Sequence, residues 1–454
     1  MITSSAFAGK CYAVLGLARS GLATLLSLVA SGAQVTAWDS DEIKRTLVPA
    51  GVMLGDPMAI DLAGFDGIVV SPGVPLNTHP IAARAREAGV PIIGDIELFA
   101  QARASLPAHK VVAITGTNGK STTTALIHHI LETAGVPTTL GGNIGLPILG
   151  QEPLPAGGVY VLELSSFQID LTRSLAADVA VLTNITPDHL DRYDGFDGYA
   201  ASKARLFAMQ EAGQVAVIAT DDDQTRGLAE HLGRLITPPL AMDGFLGTPI
   251  GMPPVSLGPT VVAVSANDVT GQSAWPSLQG PHNAQNVAVA RAACRAIGVD
   301  EADIEQGLRT YPGLPHRMQR VAEIDGVLYV NDSKATNATS TAPALGAYPR
   351  IHWICGGRRK TDDLDACKPF YGHVISAWTI GEAAELFERI LLESGIHARN
   401  VGTLDRAVKQ AAQIARPGEV VLLSPACASY GQFRDYEARG DAFRAAVTML
   451  EGRA

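Results

Sequence analysis

The chain has 454 residues, which at roughly 150 residues per domain is enough for about three domains. It carries 35 Lys and Arg against 45 Asp and Glu, a formal charge of −10, and this argues against a protein that coats nucleic acid. Five widely spaced cysteines without a CxxC pair exclude a disulfide framework and a zinc ribbon, and suit a reducing compartment. The N-terminal MITSSAFAGK lacks a basic stretch ahead of an apolar one, so no secretory signal is expected. Residues 244–267 are uncharged, but Pro249, Pro253, Pro254 and Pro259 rule out an unbroken spanning helix there. The expectation is a cytoplasmic protein with no membrane insertion, no nucleic-acid partner and a monomeric state.

The first block, 1–106, opens with the apolar run CYAVLGL. A helical stretch follows from Ser20 to about Ala30, then the strand GAQVTAWD ending at Asp39. FDGIVVSPG is a further strand, HPIAARAREAG a helix stopped by Gly89, and VPIIGD another strand. The second block, 107–312, has strands KVVAIT, VYVLELS, VAVLTNI and QVAVIAT with helices between them, and closes with a helix from about Asn283 to Ile297. Its Pro- and Gly-richer part, 236–280, reads as a small antiparallel excursion with VVAVSA as its clearest strand. Tyr311-Pro-Gly-Leu-Pro315 is a plausible hinge to the third block, 313–454, where VLYVND, IHWICGG, VISAWTIG and EVVLLSPA alternate with helices. Strands alternating with helices mean parallel sheets covered on both faces. The fold class expected is α/β, with three domains.

The strongest motif is KVVAITGTNGKSTTT. A buried strand runs into Gly116, Thr117, Asn118, Gly119, Lys120, Ser121 and Thr122, and a helix follows. Glycines let backbone N–H groups turn inward, and the helix N-terminus adds partial positive charge, so the corner suits a polyphosphate. Lys120 can reach the terminal phosphates and Ser121 can ligate Mg²⁺. Ile114 stands where the strict pattern has its first glycine, so this is a shorter variant. A second motif, Gly16-Leu-Ala-Arg-Ser-Gly21, puts Ala18 where a dinucleotide site needs glycine. It reads either as a tight turn or as a site for a nucleotide ligand other than NAD, with Asp39 on the ribose or base. An NAD-dependent oxidoreductase is therefore disfavoured. Glu163, closing VLELSS, is placed like a Mg²⁺ ligand. His189 is a second candidate or an ordinary loop histidine, and composition alone makes Lys203 a surface lysine. Polar loops at Asn331–Asn337, Gly356–Lys360 and Ser424–Ser429 each follow a strand, and the basic residues in two of them suggest an anionic ligand. Cys294, Cys355 and Cys427 lie in apolar surroundings and read as core.

GTNGKST, GGNIGLP, LELSSFQ, TNITPDHLDRY, GPHNAQN, GLPHRM, NDSKATN and LLSPACAS occur in this order over nearly the whole chain. Together they resemble the ATP-dependent Mur ligases of peptidoglycan synthesis. SPG, GDIELF, NDSKATN and SPACAS point to the branch that joins D-glutamate to UDP-N-acetylmuramoyl-L-alanine, and a relative using another amino acid is the alternative. The resemblance implies a Rossmann-like N-terminal domain for the UDP part, a central P-loop mononucleotide-binding domain for ATP and Mg²⁺, and a Rossmann-like C-terminal domain for the amino acid. It assigns Lys120 and Ser121 to the ATP phosphates and magnesium, and Glu163 and His189 to magnesium. Lys203 matches a lysine that becomes a carbamate and so acts as a carboxylate-like metal ligand. Asn286, Arg317 and Asp332 match adenosine contacts. Ser20, Ser71, Pro72, Gly73 and Asn143 fall on the UDP-muramoyl substrate. Lys334, Thr336, Lys360, Ser429 and Tyr436 surround D-glutamate and the transferred phosphate. Two departures stand out. Asp41 occupies a basic or neutral position near the uridine, and Tyr436 replaces an expected phenylalanine.

Overall fold

The computed structural model describes residues 1–236, 258–359 and 362–451. Three sheets form in chain order. The first has strands β1 (Cys11–Leu15), β2 (Gln34–Trp38), β3 (Met53–Leu54), β4 (Gly67–Val70) and β5 (Ile92–Ile93), all parallel, in the order β3-β2-β1-β4-β5. The second has β6 (His109–Thr115), β7 (Thr138–Gly142), β8 (Gly158–Glu163), β9 (Val179–Leu182), β10 (Val215–Ala219) and β11 (Thr260–Val264), again all parallel, in the order β11-β10-β9-β6-β8-β7. The third has β12 (Gln319–Ile324), β13 (Val327–Asn331), β14 (Ile351–Gly356), β15 (Val374–Ile380), β16 (Ala398–Gly402) and β17 (Val420–Leu423), in the order β12-β13-β17-β14-β15-β16. Only β12 runs antiparallel in it, as the hairpin partner of β13.

The central strands are apolar throughout because both faces are covered. Val111, Val112, Ala113 and Ile114 of β6 are each fully buried. Helices stop where the sequence supplies a stop. The helix Ile81–Ala88 ends at Gly89, which takes the left-handed conformation. The helix Ser166–Asp170 starts at a capping box made by Ser165 and Gln168.

Two compact units result. One comprises 1–270 and 285–309, the other 271–284 and 310–454. In the first unit a single hydrophobic cluster runs from the first sheet into the second. Phe99, on the helix Asp95–Ala102, packs edge-on against Tyr160 of β8 at 5.0 Å. Glu97 of the same helix accepts hydrogen bonds from the N–H groups of Arg173 and Ser174. In the second unit His352 links Ser376 and Glu419, with Nδ1 2.8 Å from the hydroxyl and Nε2 2.9 Å from the carboxylate. The chain mimics a hydrolytic triad, but all three residues are buried at the N-terminal ends of the strands. Burial alone would push Glu419 up, yet His352 and Arg350 hold it down to about 2.

One expectation is overturned. VVAVSA does not belong to an antiparallel excursion, because β11 extends the central sheet in parallel beside β10. The helix Asp223–Ile236 is the reason, since it carries the chain back across the sheet before β11 begins. Residues 237–257 of that expected excursion, which include most of its Pro-rich part, lie outside the described residues, and after β11 that stretch forms only the short 3-10 turns Ala266–Asp268 and Gln272–Ala274. Cys294, Cys355 and Cys427 are buried free thiols, as expected.

Candidate active site

Every candidate loop leaves its sheet at the C-terminal edge of a strand, where open α/β sheets bind ligands. The phosphate loop follows β6. A Cβ on Gly116 would fall 2.0 Å from Thr183 Oγ1, and one on Gly119 would fall 2.3 Å from Asn286 Oδ1. Gly119 also has φ +84° at the start of the helix Lys120–Thr133. Only glycine fits either position. Asn184, just past β9, braces the loop by accepting from Thr117 N through its backbone and from Asn118 N through its side chain, both at 2.8 Å. Asn184 lies in the TNITPDHLDRY motif, but the resemblance gave it no role of its own. Ser121 and Thr122 continue into the first turn of the helix.

Two lysines meet on this loop. Lys120 Nζ donates to the carbonyls of Gly116 and Thr117 at 2.8 and 2.9 Å, and Lys203 Nζ donates to Gly116 O at 2.8 Å. Lys203 is buried, not the surface lysine that composition suggests. Burial, with Lys120 adding like charge, lowers its pKa to about 7. Its ammonium sits 4.5 Å from the centre of the Tyr199 ring, and the Tyr199 hydroxyl lies 3.2 Å from Thr117 Oγ1. Tyr199 was missed from the sequence because a buried tyrosine on a helix reads as core.

Glu163 ends β8 beside Asn143. Its Oε1 accepts from Asn143 Nδ2 at 2.9 Å, and its Oε2 is buried with no hydrogen-bond partner. An orphaned buried carboxylate oxygen fits a cation. His189 stands half-exposed with φ +51°, a backbone setting that costs a β-carbon residue energy and clusters at functional sites. Its ring packs on Phe167 at 5.0 Å. Among the described residues no three His, Cys, Asp or Glu side chains stand as a ready metal cage. Glu163 and His189 therefore need a further donor.

On the first sheet, Gly16 has φ +95°, and a Cβ on Gly21 would fall 1.8 Å from Gly16 O. The Ser71 hydroxyl donates to that same carbonyl at 3.2 Å. Ser20 lies in the first turn of the helix Arg19–Ala30, and Pro72 and Gly73 follow Ser71 on the neighbouring loop. The Asp39 carboxylate is turned inward, accepting from Leu17 N at 2.7 Å and Asp41 N at 2.9 Å. Burial pushes it up, but these N–H groups and Lys44 hold it below the ordinary value. Asp39 thus shapes the turn. Asp41 caps the short helix Glu42–Arg45 by accepting from Ile43 N.

Within the second unit, His316 and Met318 have positive φ on either side of Arg317, as does Ala426 in the SPACAS loop. Asp332 is buried, accepting from Met318 N and from the Ser424 hydroxyl, and burial raises it to about 7. Lys334 Nζ lies 3.8 Å from the centre of the Tyr436 ring. The Thr336 side chain is partly exposed and Ser429 is buried. Arg439, absent from the sequence reading, is buried and donates to Ser333 O and Cys427 O, tying the NDSKATN and SPACAS loops together. Lys360 lies outside the described residues. In the first unit, Asn286 is buried and accepts from Thr123 Oγ1 at 3.2 Å.

Three successive α/β sheets, the second carrying a phosphate loop at the C-terminal end of β6, define a nucleotide-binding architecture, and the chain belongs to the Mur ligase family. Residues 10–94 match the Mur ligase MurD-like N-terminal domain, 114–294 the Mur ligase middle domain, and 316–427 the Mur ligase glutamate ligase domain. The UDP-N-acetylmuramoylalanine–D-glutamate ligase of Novosphingobium aromaticivorans is 60% identical over 450 residues, covering 99% of this chain and 97% of that protein. The same-named enzyme of Sphingopyxis alaskensis is 59% identical, over 99% of this chain and all of that one. Among solved structures, UDP-N-acetylmuramate-alanine ligase MurC from Thermotoga maritima shares the fold with a TM-score of 0.56 at 17% identity, covering 98% of this chain and 100% of that one. No helix among the described residues is long and apolar enough to cross a membrane.

Proposed function

We propose that this chain is an ATP-dependent ligase that joins D-glutamate to the L-alanine carboxylate of UDP-N-acetylmuramoyl-L-alanine, releasing ADP and phosphate in the cytoplasm as a monomer. The observation that carries the reading is full-length identity of 59–60% to two ligases of that name, together with the Gly116–Lys120 loop that their reaction requires. A carboxylate is a poor electrophile because its leaving group would be oxide. Transfer of the γ-phosphoryl group makes an acyl phosphate, and the D-glutamate amine then attacks the carbonyl and expels phosphate. Both partners of the first step are anionic, so the site must neutralise charge.

The chain's residues supply that service. The Gly116–Thr122 loop cradles the polyphosphate, with the Thr117 and Asn118 N–H groups held by Asn184 as its brace, and Lys120 exchanges the Gly116 and Thr117 carbonyls for the terminal phosphates. Ser121, Glu163, His189 and carbamylated Lys203 would hold Mg²⁺, and the unpartnered Glu163 Oε2 fits that role. When bound, the ion neutralises phosphate charge and polarises the oxygens around the transferred phosphorus. Lys203 suits carbamate formation because its pKa of about 7 leaves much of the amine neutral at physiological pH. The neutral amine adds to carbon dioxide, forms an N–C bond and releases one proton. Asn143 orients Glu163 and the muramoyl group. Asn286, Arg317 and Asp332 serve the adenosine side, Asn286 and Asp332 by holding the loops rather than by exposing free polar groups. Ser20, Ser71, Pro72 and Gly73 hold the UDP-diphosphate, with Asp39 bracing the turn. Lys334, Thr336 and Ser429 serve the carboxylates of D-glutamate, with Lys360 added by the resemblance alone, and the Tyr436 ring steadies Lys334.

The test is phosphate release with MgATP, UDP-N-acetylmuramoyl-L-alanine and single amino acids. Release with D-glutamate alone is expected. Release with another amino acid instead redirects the specificity, and none with any amino acid sinks the reading.

A further inference from the structure

A small cavity lies against the Gly16 turn, lined among others by Gly16, Ser20, Thr24, Ser71 and Asp95. About 10 Å³ is open to the centre of a water molecule, room for roughly one water. Two lining residues carry a buried polar atom with no hydrogen-bond partner, Asp95 Oδ2 and Thr24 Oγ1. Asp95 is 4% exposed and Thr24 1%. Asp95 is the one titratable residue on the cavity wall. The portions of β1, of the helix Arg19–Ala30 and of the β4–Ser71 segment that line the cavity contribute no other titratable or charged group. Glu97, on Asp95's own helix, is engaged with Arg173 and Ser174 instead.

Two orphaned polar groups around space for one water are satisfied together if the carboxyl carries a proton. It then donates through the water or directly to the threonine oxygen, and no buried charge is left uncompensated. Burial pushes Asp95 up to about 6 against the Ile96 N–H group that donates to its Oδ1, which brings its titration within the range that ligand binding can shift. The cavity's other wall is the Gly16–Ser20 turn and Ser71, the groups given above to the UDP-diphosphate, so this inference rests on that reading. An ionised carboxylate directly under the turn would repel the diphosphate through a low-dielectric layer.

We propose that protonated Asp95, with Thr24 and one buried water, forms the floor of the UDP-diphosphate site, so that the ester and the proton on Asp95 bind together. Asp95 is then a positioning residue whose charge state gates substrate affinity. The sign follows from linkage. Binding favours the protonated form, so affinity is highest below Asp95's titration and falls as pH rises through it.

The test is calorimetric titration of UDP-N-acetylmuramoyl-L-alanine into the full chain without ATP, from pH 5.5 to 8. The diphosphate diester has no ionisation of its own in this window. Wild-type affinity is expected to fall about threefold to tenfold, since a one-unit pKa change on binding corresponds to tenfold. Repeating the titration near pH 6.5 in buffers of different ionisation enthalpy should show net proton uptake. Asp95→Asn, which keeps the shape without the charge change, should bind with no pH slope, and Thr24→Val should move the midpoint of the slope. A flat wild-type profile without proton uptake overturns the proposal, as does an unchanged slope in Asp95→Asn. No binding by the wild type at any pH sinks the UDP reading instead. The wild-type proton count decides the matter even where a variant does not fold.

Discussion

Lys203 shows how one side chain changes meaning with its surroundings. In the sequence it is a lysine in the helical run ASKARLF, and a solvated head group is the default. In the fold its Nζ is buried against Gly116 O and the Tyr199 ring, close enough to Lys120 to feel its charge. Replacing Lys203 with alanine is expected to lower phosphate release by about 100-fold or more, the scale of losing one electrostatic contact to the reacting group. A short carboxylic acid added to the assay should restore part of it by standing in for the carbamate. Full activity in that variant would remove the carbamate from the scheme. Because the amine is protonated below about pH 7, dependence of wild-type activity on added bicarbonate should steepen as pH falls toward 6. The resemblance supplied this residue's role, whereas burial and charge supply the physical reason for it.

At the scale of elements, the strand–loop–helix corner around Lys120 was legible from residue types alone. Glycine, lysine and serine at that spacing have few structural uses besides holding phosphates. Gly119 makes the point testable. With φ +84° and Asn286 Oδ1 2.3 Å from a built Cβ, Gly119→Ala forces either the loop or the Asn286 helix to move. The expected cost is about 1–3 kcal/mol of stability for the strained backbone and a rise in KM for ATP of about tenfold or more, read by thermal melting and steady-state kinetics. A wild-type KM in a folded Gly119→Ala protein would contradict the cradle. The direction of β11 was not legible. Apolar alternation reports that a segment is a strand but carries no information on whether it runs with or against its neighbour, and the crossover helix Asp223–Ile236 decides that. In Asn184, inside the TNITPDHLDRY motif, and in Arg439 the bracing role was not legible for a related reason. Each braces a loop from a distant point in the chain, and a lone Asn or Arg announces no such partner in sequence.

At the scale of the whole molecule, the first two sheets cohere because one hydrophobic cluster serves both. Phe99 is its visible seam, buried against Tyr160 from the other sheet. Phe99→Ala is expected to cost about 3–5 kcal/mol. Hydrogen exchange should quicken in β1 and β6 together, while the strands of the second unit, β13 and β14, keep their protection. Loosening confined to the first sheet would show that the cluster does not couple the two.

The sequence by itself determined the α/β class, the three alternating blocks, the phosphate loop and the family resemblance. Those features are written in local periodicity and in short motifs whose chemistry depends on neighbours within a few residues. Tertiary structure alone decided which carboxylate oxygen is left without a partner, that Lys203 is buried, that Asp39 braces a turn, and that Asp95 and Thr24 face one small cavity. Each of these depends on solvent exclusion and on contacts between residues far apart in the chain. Burial sets the energy of a charge or an unpaired polar atom, and burial exists only once the chain has folded.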